Sequence, residues 1–232
     1  MQDASFASRS GHMTLFSVRG IPIRLHSSFL VLAAVFVSVE LVRSGLTSAA
    51  MTLVFGLALF GSVLLHELGH ALTARRFGIL TRSITLYPFG GVAALAREPT
   101  RSSEELWIAL AGPAVNGALA LIALPLALLG VPGAGLFAAM NLALGIFNLI
   151  PAFPMDGGRV LRAWLSRRKG RFQATKQALN ISKWFAWGFL AIGIGTTSLN
   201  LLLIGGFLLF AINMERRRLA FFMAGSKRRF SI

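Results

Sequence analysis

Six apolar stretches, joined by short connections, constrain this 232-residue chain more than any other feature. Only 13% of its residues are charged, whereas a soluble domain carries about 25%. A helix that spans a bilayer needs roughly 20 apolar residues, and six such helices fit this length. The chain is therefore predicted to fold in a membrane. The stretches lie at 28–42, 49–74, 105–129, 135–150, 182–197 and 199–214.

The segment 79–96, between the second and third stretches, has a different pattern. Ile84, Leu86 and Val92 alternate with smaller or polar residues, and the turn-forming run Pro88-Phe89-Gly90-Gly91 interrupts them, which predicts a short hairpin. The predicted fold class is an all-α polytopic membrane protein. It has six transmembrane helices and a short membrane-associated β-hairpin or sheet between helices 2 and 3.

The chain is expected to divide into three parts. Residues 1–13 are interpreted as a tag or a disordered N-terminus, because Gly11-His12-Met13 resembles a cloning junction. Residues 14–214 form the six-span core, and residues 215–232 form a basic cytoplasmic tail.

The net charge of +15 is interpreted as an orientation signal. If the N-terminus is cytoplasmic, every Lys and Arg except Arg43 falls on the cytoplasmic side of six spans, as the positive-inside rule requires. We therefore expect a multi-pass protein of the plasma membrane with both termini in the cytoplasm. A nucleic-acid partner, which such a charge suggests in a soluble protein, is not expected.

The second stretch contains three ionisable residues in one helical turn, His66, Glu67 and His70. Such residues within a spanning helix are costly and indicate function. Side chains four residues apart share a helix face, so the two imidazoles can bind one tetrahedral Zn²⁺. Glu67 is rotated by one residue and is placed to act as general base on a metal-bound water. The alternative is a structural histidine pair satisfied by neighbouring polar groups.

A third ligand must be His, Asp or Glu, because the chain has no cysteine. Asp156 is favoured, since it precedes Arg159 by three residues and so lies at the cytoplasmic end of its span, as the histidine pair does. Pro151 and Pro154 prevent a continuous helix before it, and unwound backbone at membrane depth indicates a buried or wet site wall. The alternative is an ordinary helix end with Asp156 paired to arginine. The other candidates are Glu40, His26, Glu98, Glu104 and Glu105.

Two asparagines also lie in apolar surroundings. Asn148 is a candidate to stabilise an oxyanion or to bind the substrate backbone. Asn116 is a candidate substrate contact, and its alternative is a hydrogen bond between helices. A strand edge near 86–92 is a further candidate, since it can hold a substrate extended by strand addition. Substrate contacts are therefore expected at Asn116, Phe89, Gly90 and Gly91.

Together these motifs resemble the site-2 protease family of intramembrane zinc metalloproteases. The resemblance rests on His66-Glu67-Leu68-Gly69-His70, Gly112-Pro113-Ala114-Val115-Asn116, the run from Asn148 to Gly158, and Tyr87 to Val92, and it covers residues 20–214. It implies that His66, His70 and Asp156 bind zinc, one ion per chain. It also implies that Glu67 is the catalytic base and that Asn148 assists near the scissile bond.

The resemblance further implies cleavage of a membrane-bound regulatory protein that has a single transmembrane helix. The active site would face the cytoplasmic side of the bilayer. The alternatives are a metal-ion transporter, which usually shows repeated halves, and an inactive scaffold that binds membrane helices.

Overall fold

The computed structural model describes residues 11–88 and 90–229, with 222–229 described by their backbone alone. The elements are β1 (His12–Val18), β2 (Ile21–His26), α1 (Ser27–Arg76), β3 (Thr81–Tyr87), β4 (Gly90–Leu95), α2 (Ser102–Leu128), α3 (Ala134–Asn148), α4 (Asp156–Gly195) and α5 (Leu199–Arg229). The chain is thus mostly helical with one small sheet.

Among the described residues, three helices are long and apolar enough to cross a membrane: Ser27–Arg76, Ser102–Leu128 and Leu199–Phe221. Ala134–Asn148 is a shorter apolar helix. Large apolar side chains on these helices and at their ends face outward, and Val42 and Leu128 are 86% and 82% exposed. Such surfaces are stable in lipid but not in water, so the prediction of a membrane protein is confirmed.

α1 cannot be one straight helix. Its 50 residues would extend about 75 Å at 1.5 Å per residue. The strands at its two ends are neighbours, however, because β2 pairs with β3. Gly45 resolves the conflict with φ 83° and ψ −177°, a backbone conformation that glycine adopts readily. α1 therefore turns back at Gly45 as two helical segments.

The sheet has the order β1-β2-β3-β4. β1 pairs with β2 and β3 with β4 in antiparallel hairpins, while β2 and β3 run parallel. The predicted hairpin after the second stretch is therefore present, as β3 and β4. The N-terminal hairpin was not predicted, and its first strand includes His12 and Met13 of the segment interpreted as a tag. Residues 1–10 of that segment lie outside the described residues.

Two basic segments are helical. α4 is helical through residues 167–176 except at Gly170, which has φ 73°. Arg, Lys and Gln are good helix formers, so the high charge of this segment does not prevent a helix. α5 likewise continues as a helix to Arg229.

The chain divides into two compact units. One comprises Met1–Pro99 and Ala111–Gly145, and the other comprises Thr100–Leu110 and Ile146–Ile232. In the first unit, one face of the sheet packs on α1 around Leu68 and Ala71, beside the histidine pair. In the second unit, α4 and α5 pack around Leu179, Leu208 and Ile212 and cover the turn before α4.

Candidate metal centre

The two histidines lie on one face of the second segment of α1. Both are buried, and their Nε2 atoms are 3.0 Å apart. Two nitrogen ligands of a tetrahedral zinc ion, each about 2.0–2.1 Å from the metal, are separated by about 3.3 Å. The spacing of the ring nitrogens therefore fits two ligands of one ion, as the i, i+4 pattern predicted.

Asp156 is the first residue of α4 and is buried. His66 and His70 belong to the first compact unit and Asp156 to the second, and each of these three side chains offers one ligand atom for a metal ion. No other group of three His, Asp or Glu side chains that could hold a metal occurs where the structure describes side chains. Two imidazoles and one carboxylate form a donor set that suits zinc and leaves a fourth position open.

Gly157 and Gly158 lie in the first turn of the α4 helix and allow the backbone of residues 149–153 to pack directly on it. A Cβ atom at Gly157 would overlap the carbonyl groups of Leu149 and Ile150, and one at Gly158 would lie 2.7 Å from the Phe153 nitrogen. The two glycines after Asp156 are therefore needed for close backbone packing.

Gly112 of α2 leaves room for both histidine rings. A Cβ atom there would lie 2.5 Å from His66 Nε2 and closer still to His70 Nε2. A side chain at this position would thus occupy the space beside the two nitrogens that would bind the metal. Glycine is required at position 112 because the two histidine rings leave no room for a Cβ atom, and not because of its own backbone conformation.

We predict that Gly112→Ala weakens zinc binding roughly 100-fold, because overpacking a tight contact costs up to about 3 kcal/mol. Isothermal titration of the metal-free variant with zinc measures the effect. Gly117→Ala is the matched control, since a Cβ atom at Gly117 of the same helix meets nothing within 4 Å. Equal zinc affinity in both variants would contradict the prediction.

Behind His66, the side chain of Asn116 makes a hydrogen bond, with 2.5 Å between Oδ1 and His66 Nδ1. Asn116 Nδ2 donates to Asn141 Oδ1 at 3.0 Å. Asn116 is only 1% exposed, and both ends of its side-chain amide make hydrogen bonds within the protein. The geometry favours a positioning role over the predicted substrate contact, and it matches the alternative of a hydrogen bond between helices.

Glu67 is half-buried beside β4. A Cβ atom at Gly91 would lie 3.0 Å from Glu67 Cδ and 3.1 Å from Oε1. Gly91, predicted as a substrate contact, therefore gives the Glu67 carboxylate space against the sheet. Gly90 begins β4 with φ 137°, Phe89 lies outside the described residues, and Asn148 is half-buried at the end of α3.

Three other candidate ligands have separate structural partners. His26 caps α1 by accepting a hydrogen bond from the Ser28 nitrogen, and Glu104 accepts from the backbone ahead of α2. Glu105 is bound by Arg162, whose Nε lies 2.8 Å from Oε1.

The pair between Arg162 and Glu105 was not predicted. Both side chains are buried. The guanidinium lies 5.1 Å from the centre of the Phe153 ring and 3.7 Å from a carboxylate oxygen of Glu215. Phe153 belongs to the turn that precedes Asp156, so Arg162 connects α2, α5 and that turn within the second unit. Sequence spacing offered no signal for a pair 57 residues apart.

The sequence profile of peptidase family M50 matches residues 54–133 and 131–192. A zinc metalloprotease of Methanocaldococcus jannaschii is 38% identical over 209 residues, which are 88% of this chain and 60% of that protein. Stage IV sporulation protein FB of Bacillus subtilis is 36% identical over 110 residues, 46% of this chain and 38% of that protein. The chain thus spans less than two thirds of the length of these relatives.

A solved structure, the site-2 protease from Methanocaldococcus jannaschii, resembles the fold with a TM-score of 0.67 and 37% identity. The match covers 88% of this chain and 94% of that one. The histidine pair, the glutamate beside it and the asparagine behind it lie within the residues that the profile matches. The chain therefore belongs to peptidase family M50, the family of site-2 proteases.

Proposed function

We propose that this chain is the catalytic core of an intramembrane zinc metalloprotease. It would hydrolyse peptide bonds within or near the transmembrane segments of membrane-bound regulatory proteins. The observation that carries the proposal is the histidine pair with an adjacent glutamate on a helix long and apolar enough to cross a membrane. Membership of family M50 supports the same reaction class.

One zinc ion per chain would be held by His66, His70 and Asp156, whose three side chains are of the kinds that bind zinc. Bound zinc supplies Lewis acidity, which activates water and polarises a peptide carbonyl. The names of the curated relatives support zinc as the metal.

Glu67 would act as the general base. It takes a proton from the attacking water and later returns it to the leaving amine. The position of Glu67, one residue from His66 and facing the space left by Gly91, supports this role. Asn148 would donate a hydrogen bond to the oxyanion or to the substrate backbone, since it ends α3 just before the turn that leads to Asp156.

The substrate would be a single transmembrane helix that unwinds at the site, because helical hydrogen bonds shield its carbonyl groups. β4 lies at an edge of the sheet and can pair with an extended segment. This position supports substrate contacts along Gly90 and Gly91, and the contact predicted at Phe89 stays part of the proposal. The other partner is the lipid bilayer.

The chain would cross the plasma membrane six times, with both termini and the active site on the cytoplasmic side. The turn at Gly45 and the break at Gly170 support this count, since they divide α1 and α4 into two segments each. The distribution of Lys and Arg supports the orientation. The metal-ion transporter and the inactive scaffold are not favoured, because the matching family is a peptidase family.

Removal of the metal tests the proposal. The purified protein in detergent is expected to cleave a fluorescent single-span substrate, to lose this activity after dialysis against a chelator, and to regain it on addition of stoichiometric zinc. Zinc content is measured at each stage. Undiminished cleavage by metal-free protein would overturn the assignment as a metalloprotease. Zinc flux into proteoliposomes without cleavage would favour the transporter.

A further inference from the structure

Three polar groups form a buried chain behind His66. His66 Nδ1 and Asn116 Oδ1 are 2.5 Å apart, Asn116 Nδ2 and Asn141 Oδ1 are 3.0 Å apart, and Asn141 Nδ2 and the Phe137 carbonyl oxygen are 3.0 Å apart. Asn141 is fully buried on α3. The proposed function does not use it, and the sequence did not single it out.

The carbonyl at the end of this chain sets the direction of every hydrogen bond in it. A backbone carbonyl only accepts, so Asn141 must present its NH₂ group to Phe137 and its oxygen to Asn116. Asn116 must then present its NH₂ group to Asn141 and its oxygen to His66. An amide is symmetric in shape, and only its hydrogen-bond partners fix which end is oxygen.

The same direction decides which His66 nitrogen carries the proton. Asn116 Oδ1 only accepts, so His66 Nδ1 must be the N–H donor. In neutral imidazole the other nitrogen, Nε2, then carries no proton and has the lone pair that can bind a metal. Nε2 is also the atom that lies 3.0 Å from His70 Nε2. The tautomer that these hydrogen bonds fix is therefore the one that can bind a metal between the two rings.

The backbone of α3 is close enough to α2 to hold this arrangement. Gly145, one turn after Asn141, lies where a Cβ atom would be 3.4 Å from Asn116 Cβ and 3.5 Å from the Pro113 carbonyl oxygen. Gly145 thus lets the helix that carries Asn141 approach Asn116 directly.

We infer that Asn141 is a positioning residue for the metal site. Acting through Asn116, it holds His66 in the tautomer whose Nε2 binds the metal. The inference rests on the proposed function, since it concerns the same metal site. Partners of this kind typically contribute 10- to 100-fold to metal affinity.

The test is a double-mutant cycle read by zinc affinity. Asn141→Leu and Asn116→Leu are each expected to raise the zinc dissociation constant about 10- to 100-fold. The double variant is expected to bind no more weakly than Asn116→Leu alone, because Asn141 acts only through Asn116. Competition with a chromophoric chelator measures each constant on the full chain in detergent.

Ser62→Ala is the matched control. Ser62 is buried on α1, one turn before His66, and its hydroxyl donates to the Ala58 carbonyl at 3.1 Å. This variant loses a buried hydrogen bond without affecting Asn116 or Asn141, and it should keep the native zinc affinity. Asn141→Ala, which adds no bulk, repeats the measurement if the leucine variant does not fold.

Native zinc affinity in Asn141→Leu or Asn141→Ala would overturn the inference. So would a loss that adds in full to that of Asn116→Leu, which would show that the two residues act independently. Failure of the proposed function looks different, since the unchanged chain would then bind zinc without cleaving any single-span substrate.

Discussion

The Glu67→Gln variant is expected to bind zinc as tightly as the unchanged chain and to cleave a single-span substrate about 10²- to 10⁴-fold more slowly. Glutamine has nearly the same shape as glutamate, so it fits the space that Gly91 leaves beside the sheet. It cannot accept the proton of the attacking water. Single-turnover cleavage, with zinc content measured on the same sample, separates loss of the base from loss of the metal.

Glu40→Gln is the matched control for this experiment, because Glu40 lies in the first segment of α1 and outside the ligand group. It should keep both zinc and activity. Equal cleavage by Glu67→Gln and the unchanged chain would remove Glu67 from the mechanism. Loss of zinc from Glu67→Gln would instead make Glu67 a ligand.

Replacement of Arg162 by methionine is expected to lower the free energy of unfolding by about 3–5 kcal/mol. Methionine fills much of the same space, but it leaves the buried Glu105 carboxylate without the guanidinium that now binds it. A buried charge without a partner lowers the stability of the fold, whereas an apolar pair in the same place does not. The double variant Arg162→Met/Glu105→Leu should therefore recover most of the loss.

Denaturant unfolding in detergent, followed by far-ultraviolet circular dichroism, measures these differences. Arg167→Met is the matched control, since Arg167 is exposed on the same helix, and it should change stability by no more than about 0.5 kcal/mol. A loss below about 1 kcal/mol in Arg162→Met would show that the pair is not a main support of the second unit. A double variant less stable than either single variant would also contradict the expectation.

The fold was predictable where its signal is local. The apolar stretches predicted the helices, and the alternation of Ile84, Leu86 and Val92 predicted β3 and β4. β2 has a similar alternation in Ile21, Ile23 and Leu25, all buried. It is short, however, and its partner β3 begins more than fifty residues later. Local alternation cannot specify so distant a partner.

The candidate site was likewise predictable only where its signal is local in the sequence. The histidine pair and Glu67 share one helical turn, so their spacing alone indicated the chemistry. Asp156 was proposed as the third ligand by an argument from topology, and this assignment stays a prediction. Asn141 and Arg162 were missed because a single asparagine or arginine in a helix gives no sign of its partner. Their roles depend on contacts between helices, which only the three-dimensional structure supplies.

The parallel pairing of β2 with β3 has a consequence for biosynthesis. The hairpin of β1 and β2 leaves the ribosome before α1, and its neighbour in the sheet, β3, follows only after the whole of α1. At about 5–20 residues per second, the 50 residues of α1 take roughly 3–10 s to translate. During that interval the inner edge of β2 has no strand beside it and is open to mispairing. Completion of the sheet therefore requires that both segments of α1 have formed and have brought β3 back beside β2.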